Sequence, residues 1–205
     1  MTIKTDLSSA TSDATLQLLF REARTHNGWT SEAVGQEQLR LLYDTMRWGP
    51  TSMNCSPIRI IFLCSDAARL RLKPYLSPGN IEKTMSAPVT AIIGTDYLFY
   101  EHLPRLFPHS PTMKEQFTKA ADKSSAEATA FRNCSLQAGY FIIAARAIGL
   151  DCGPMSGFDS IAVDKEFWKG TQVRTNFLCN LGQGDHNKLF DRLPRFNFDE
   201  VCHVI

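Results

Sequence analysis

A chain of 205 residues, 43% hydrophobic and 21% charged, is long enough to bury a sizeable core and too apolar to be read as disordered. Its 22 Lys and Arg against 21 Asp and Glu leave a formal charge of +1, so no overall field draws nucleic acid or an anionic membrane to it. The six cysteines form no Cys-x-x-Cys pair and sit mostly in apolar surroundings, the pattern of free buried thiols in a reducing compartment.

Residues 1–12 are polar and are expected to be frayed; they contain no continuous apolar run of the kind a signal peptide needs, which points to a cytoplasmic protein. Ser12 or Asp13 can cap a helix that carries Leu16, Leu19, Phe20 and Ala23 at helical spacing. A second helix from about Gly35 places Leu39, Leu42, Tyr43 and Met46 on one face and is ended by Gly49 and Pro50. Beyond the polar turn 51–57, the β-branched and aromatic run 59–64 predicts a buried strand. Residues 67–76 read as a helix, 80–86 as the beginning of another, and 89–94 as a second strand, so helices and buried strands alternate in a layered α/β or α+β arrangement. Over 97–126 the chain is rich in aromatic residues but is interrupted by Pro104, Pro108 and Pro111, which predicts an inserted flap in an otherwise single domain spanning 1–205.

The stretch 136–150 has apolar residues on every side of a 3.6-residue turn, as expected of a helix buried all round in a core or a subunit interface. Only 13 uncharged residues separate Arg132 from Arg146, well short of the ~20 that a membrane span requires. A tight turn over 151–158 follows, where Gly149, Gly153 and Gly157 permit positive φ or close backbone approach. A helix near 160–168, a strand over 175–181 and a basic, loop-like tail over 182–195 complete the pattern.

Several signatures fail on spacing. Gly182 and Gly184 begin a dinucleotide fingerprint, but position 187 is Asn; Ser156 is flanked by Pro154 and Phe158 where a nucleophile elbow needs glycines. The five histidines lie far apart with no metal-ligand spacing, so no metal is expected. What remains is a set of donor-rich turns: 24–27, 50–54, 80–83, 153–157, and Lys188 with Arg192 and Arg195. Arginine forks and hydroxyls suit a phosphate, and glycine turns present N–H groups to the edge of a heteroaromatic ring. Any one of these turns alone reads more readily as a solvated loop or a helix cap than as a binding site.

Taken together, the strings Ala23-Arg-Thr-His-Asn-Gly-Trp29, Trp48-Gly-Pro-Thr-Ser-Met-Asn-Cys-Ser-Pro57, Ala130-Phe-Arg-Asn-Cys-Ser135, Gly149-Leu-Asp-Cys-Gly-Pro-Met-Ser-Gly-Phe-Asp159 and Arg192-Leu-Pro-Arg195 resemble the FMN-dependent nitroreductase family. The resemblance runs from about Leu16 onward and is nearest to the branch that reduces malonic semialdehyde to 3-hydroxypropanoate in uracil degradation. It implies an α+β fold, a mixed central sheet surrounded by helices, in an intertwined homodimer with non-covalent FMN at the interface. NADH or NADPH would be the electron donor.

By position, the resemblance assigns Arg24, Thr25 and His26 to the phosphate and ribityl chain, with His26 where the family has Ser. Thr51, Ser52 and Asn54 would reach the flavin from the partner subunit, and Asn80 and Lys83 would lie beside the ring and ribityl chain. Pro154, Met155, Ser156 and Gly157 would bring backbone near N5, and Arg192 would bind phosphate, with Arg195 and Lys188 as further candidates. A small carboxylated aldehyde also needs a cation, for which Arg132 and Arg105 are the candidates; a broad nitro or quinone reductase and a flavin-binding protein without turnover are the alternatives. With the chemistry carried by the flavin, no side-chain nucleophile is required.

Overall fold

The computed structural model describes residues 11–118 and 123–205; residues 1–10 of the stretch 1–12 expected to fray, and residues 119–122 of the expected flap, lie outside that description. Ser12 caps α1 (Asp13–Leu16) by accepting the Thr15 N–H at 3.2 Å, and the helix runs on as one π turn, Gln17–Arg21. Helix α2 (Gln36–Met46) begins at Gly35, whose N–H donates to Gln38 Oε1 at 2.9 Å. It buries Leu39, Leu42 and Met46 as the spacing predicts, but Tyr43 is 48% exposed.

There are four strands, of which β1 (Ile58–Leu63), β2 (Val89–Asp96) and β4 (Val173–Gly182) follow the predicted runs closely and β3 (Asp151–Met155) was not expected. They form one sheet in the order β1-β2-β4-β3 with every strand pair antiparallel. The α+β class is as expected, but the four strands do not make a mixed sheet; the parallel element is a single bridge between Thr25 and Cys152. Strand β3 also replaces the expected tight turn, since residues 151–155 are extended against 178–182. Pro154 is tolerated there because β3 is an edge strand, whose outer side needs no N–H donor.

Helices α3 (Asp66–Leu72) and α4 (Pro78–Met85) separate β1 from β2, and α8 (Ser160–Phe167), capped by Asp159, separates β3 from β4. The predicted flap is built of short pieces, α5 (Leu103–Leu106) and α6 (Met113–Thr118) after a 3-10 turn, as its prolines require. These pieces pack: Phe99, Leu103, Ala126 and Ala130 are buried together with Cys55, and the Phe99 and Phe117 rings meet edge to face at 5.1 Å.

The long helix α7 (Lys123–Ala147) crosses one face of the sheet, with Cys134, Ala138, Phe141, Ala144 and Ala145 packed against Ile58, Ala91, Ile93 and Cys179. It is not buried all round, because Phe131, Leu136 and Tyr140 stand 54%, 50% and 45% exposed. Of the three glycines read as conformationally special, only Gly149 has positive φ, +82°, directly after the helix end. A short α9 (Phe198–Val201) closes an exposed tail. Among the described residues no helix is long and apolar enough to cross a membrane.

Candidate functional site

The loop 24–29 lies along the start of β3. Thr25 bridges to Cys152, and the His26 N–H donates to the Cys152 carbonyl at 3.0 Å. Gly153 is required by this contact, since a Cβ there would come within 2.7 Å of the His26 carbonyl and 3.0 Å of the Trp29 ring. Trp29 Nε1 donates to the Lys83 carbonyl at 2.9 Å, and Asn180 Nδ2 donates to the same oxygen at 3.1 Å, so β4 and the N-terminal loop both fix the end of α4. Asn180 is itself oriented by the Thr90 hydroxyl, 2.7 Å from its Oδ1, in a fully buried network.

This framework gathers one group of the predicted residues. Lys83 Nζ donates to Asn27 Oδ1 at 3.4 Å, and burial pushes its pKa below the ordinary lysine value. Asn80 Nδ2 donates to the Gly157 carbonyl at 2.7 Å. A Cβ on Gly157 would stand 2.6 Å from that nitrogen and 3.2 Å from Ser77 Oγ, so the protein's own packing already demands glycine there. Ser156 is exposed, Pro154 half-buried, and Met155 points into the core, where its sulfur accepts from the Thr84 hydroxyl at 3.5 Å. Arg192 Nη2 donates to the Ala23 carbonyl at 3.5 Å and Arg24 donates to the Phe190 carbonyl, which ties the C-terminal tail across the N-terminal loop.

Three residues depart from expectation. The His26 side chain is 2% exposed, its ring set against Gly184, where a Cβ would fall 1.8 Å from Nδ1; the loop presents Arg24 and Thr25 but turns His26 inward. Its Nε2 lies 3.3 Å from Asp151 Oδ1, and Asp151 Oδ2 accepts the Gly184 N–H at 2.9 Å. Desolvation lowers the His26 pKa below 6.5, against the opposing pull of Asp151. Lys188 lays its stem over Gly28 and holds Nζ 3.8 Å from Glu82, so its charge is already partnered. Among the described residues Arg195 donates only to the neighbouring Leu193 and Pro194 carbonyls.

Thr51, Ser52 and Asn54 lie elsewhere. They precede β1, the opposite edge of the sheet from β3, three inter-strand steps away and therefore roughly 14 Å or more at ~4.8 Å per step. Their turn carries three non-glycine residues with positive φ, Met53 (54°), Asn54 (50°) and Ser56 (39°), a concentration of strain that secure partners must hold. Asn54 Nδ2 donates to the Leu106 carbonyl at 2.9 Å, and the Ser56 N–H donates to Thr51 Oγ1 at 3.2 Å. Asn133 and Gln137, buried on α7, accept from Ser52 and Ile58; sequence reading passed over both, although two amides four residues apart in an apolar helix were a visible signal.

Arg105 lines a groove of about 580 Å³ beside this turn, with Trp48, Asn54, Arg59, His102 and Gln137. Arg59 is engaged by Asp96 at 2.5 Å. Arg132 is exposed on the outer face of α7, beside Phe131 and Leu136. Among the described residues neither Arg105 nor Arg132 makes an ion pair, and the same is true of Arg24, Lys83 and Arg192.

Four of the thiols are held in the protonated form. Burial pushes Cys55 up to about 11 and raises Cys64 and Cys134, while Cys179 is raised first by its side-chain hydrogen bond with Cys152 and then by burial. Four of the six cysteines are buried as expected, but Cys64 and Cys202 are exposed.

Comparison with known proteins gives this arrangement a context. The profile of the Nitroreductase family matches residues 21–172. A protein of Cupriavidus pinatubonensis, provisionally named an NADH dehydrogenase/NAD(P)H nitroreductase, is 53% identical over 189 residues, covering 92% of this chain and 96% of its own. A similarly named protein of Ralstonia pickettii, HadB, is 50% identical over 192 residues, covering 94% and 98%. The crystal structure of a nitroreductase from Exiguobacterium sibiricum in complex with FMN superposes with a TM-score of 0.80 at 14% identity, covering 96% of this chain and 98% of that one. With a family match across most of its length and relatives at half identity over nearly all of it, the chain belongs to the nitroreductase family.

Proposed function

We propose that the protein is a cytoplasmic, FMN-dependent oxidoreductase that takes electrons from NADH or NADPH, with malonic semialdehyde as acceptor and 3-hydroxypropanoate as product. The observation that carries the cofactor assignment is the set of three cations, Arg24, Lys83 and Arg192, gathered near the β3 edge with carbonyl or amide partners and no carboxylate among the described residues. A dianionic phosphate is the natural partner for such a set, each charge-assisted hydrogen bond contributing about 1.5–3 kcal/mol before solvent screening. Arg24, Arg192 and Thr25 would hold the phosphate, Asn80 and Lys83 the polar chain and ring edge, and the 154–157 backbone the ring itself. When bound, FMN supplies reversible acceptance and donation of hydride.

The second half of the site would come from another copy of the chain, through Thr51, Ser52 and Asn54. Two observations support that homodimer: the two residue groups sit on opposite sheet edges, and the surface displays Trp48, Phe131, Leu136, Phe190, Leu193 and Phe196 between 50% and 77% exposed. The acceptor assignment rests on Arg105 and Arg132, which have no acidic partner among the described residues and could bind the aldehyde's carboxylate. A broad nitro or quinone reductase is the second reading, favoured by the names of the two close relatives and by the exposed aromatic rings.

The test is an absorbance spectrum of freshly purified protein followed by anaerobic addition of NADH or NADPH and then of acceptors. A yellow protein that bleaches and is reoxidised by malonic semialdehyde supports the full reading. Reoxidation by nitroaromatics or quinones alone removes the aldehyde, and a flavin that never bleaches removes the enzyme.

A further inference from the structure

Helix α7 is apolar where it meets the sheet, yet two amides are sunk into its packed face: Asn133 is 0% and Gln137 3% exposed. Four residues apart, they stand one turn above the other on the same side. Asn133 Oδ1 accepts the Ser52 N–H at 2.8 Å and Gln137 Oε1 accepts the Ile58 N–H at 3.0 Å, so the pair holds the two ends of the strained segment that contains Met53, Asn54 and Ser56. The Asn133 amide nitrogen donates to the Thr129 carbonyl at 2.9 Å, which fixes the direction in which Oδ1 faces. Buried amides in an apolar layer persist when their partners are otherwise unpaired backbone donors.

We infer that Asn133 and Gln137 are positioning residues for the cofactor, clamping the 51–56 turn in its left-handed conformation so that Ser52 and Asn54 stay at the surface. The inference rests on the assignment of that turn to the flavin site. A loop that only needed anchoring could be pinned by apolar packing, as Cys55 at its centre already is. The amides instead fix the flanks and leave the polar groups outside. The same helix exposes Phe131 and Leu136 away from the sheet, with Arg132 between them. A second copy docked there would therefore have its distance to the turn set by one rigid element.

The experiment compares Asn133→Leu and Gln137→Met with Gln137→Glu, which keeps an acceptor at Oε1, and with Asn54→Ala. Amide exchange at Ser52 and Ile58 and FMN affinity are measured on each, in the full-length protein. In the first two variants exchange at the clamped amide is expected to rise at least tenfold and the FMN Kd about tenfold, the loss of one partner from a buried donor. Gln137→Glu should return both to within about twofold of the parent, which a general packing role for Gln137 would not produce. Should Asn133→Leu fail to fold, the Gln137 pair carries the same comparison alone. If Asn54→Ala weakens FMN while Gln137→Met leaves affinity unchanged, the turn binds cofactor and the clamp is refuted. If neither change affects FMN, the turn is not part of the flavin site and the inference falls with that assignment.

Discussion

The Asn80 side-chain nitrogen donates to the Gly157 carbonyl at 2.7 Å and stands 2.6 Å from the point a Gly157 Cβ would occupy. α4 and the end of β3 are thus locked together at van der Waals contact. Gly157→Val must move Asn80 or the 154–157 backbone, and is expected to weaken FMN at least tenfold at a stability cost of about 1–3 kcal/mol, the usual range for overpacking. Titration of apo-protein with FMN and urea denaturation measure the two effects. Full flavin binding by Gly157→Val would refute the assignment of this turn.

Arg24 and Arg192 reach across each other's chain segments, Arg24 to the Phe190 carbonyl and Arg192 to the Ala23 carbonyl. Arg192→Ala should raise the FMN Kd by about tenfold or more, and the difference from the parent should shrink at high salt because the site is partly exposed. Lys188→Ala is the matched control: its charge is taken by Glu82, so FMN affinity should change less than twofold. Equal losses in the two variants would show a general charge effect and remove Arg192 from a specific phosphate contact.

His26 joins three segments, the N-terminal loop, the start of β3 through Asp151, and the 182–186 loop through Gly184 and His186, whose ring lies 5.4 Å away. Its pKa is lowered by burial, so the folded protein favours the neutral ring and the unfolded chain binds the proton more readily. The stability this contributes is complete above about pH 6.5, the unfolded value, and declines as the pH falls below it. Asp151, which attracts the protonated form, limits the decline; His186, Arg24 and Arg146 add to it. Melting temperature from pH 8 to 5 should therefore fall below pH 6.5 in the parent and be flatter in His26→Asn. Parallel curves would show that His26 does not titrate on unfolding.

Arg105→Gln and Arg132→Gln separate the two acceptor readings. If either arginine binds the aldehyde's carboxylate, its loss should raise the KM for malonic semialdehyde about tenfold or more while turnover of an uncharged quinone stays within twofold. A uniform fall for both acceptors, or no change for either, would remove these arginines from substrate binding.

The sequence alone determined the elements whose reason is local. The runs at 59–64, 89–94 and 175–181 became strands within two residues of their predicted ends, because β-branched and aromatic side chains fit a buried pleat whatever they pair with. The prolines at 104, 108 and 111 likewise foretold a broken segment. Strand β3 was not legible: Gly153 and Pro154 argue for a turn, and only pairing with β4 on one side, with the 24–29 loop bridging Cys152 on the other, makes them extended. The motif strings named the family, but whether each side chain faces outward was decided by contacts remote in sequence. Gly184 and Asp151 draw His26 inward, Glu82 takes the charge of Lys188, and Asn133 and Gln137 set the 51–56 turn from a helix some eighty residues away. Periodicity and turn chemistry act over a few residues and are written in the chain; burial and partner choice depend on which segments the fold brings together, and those are fixed only when the sheet and α7 close on each other.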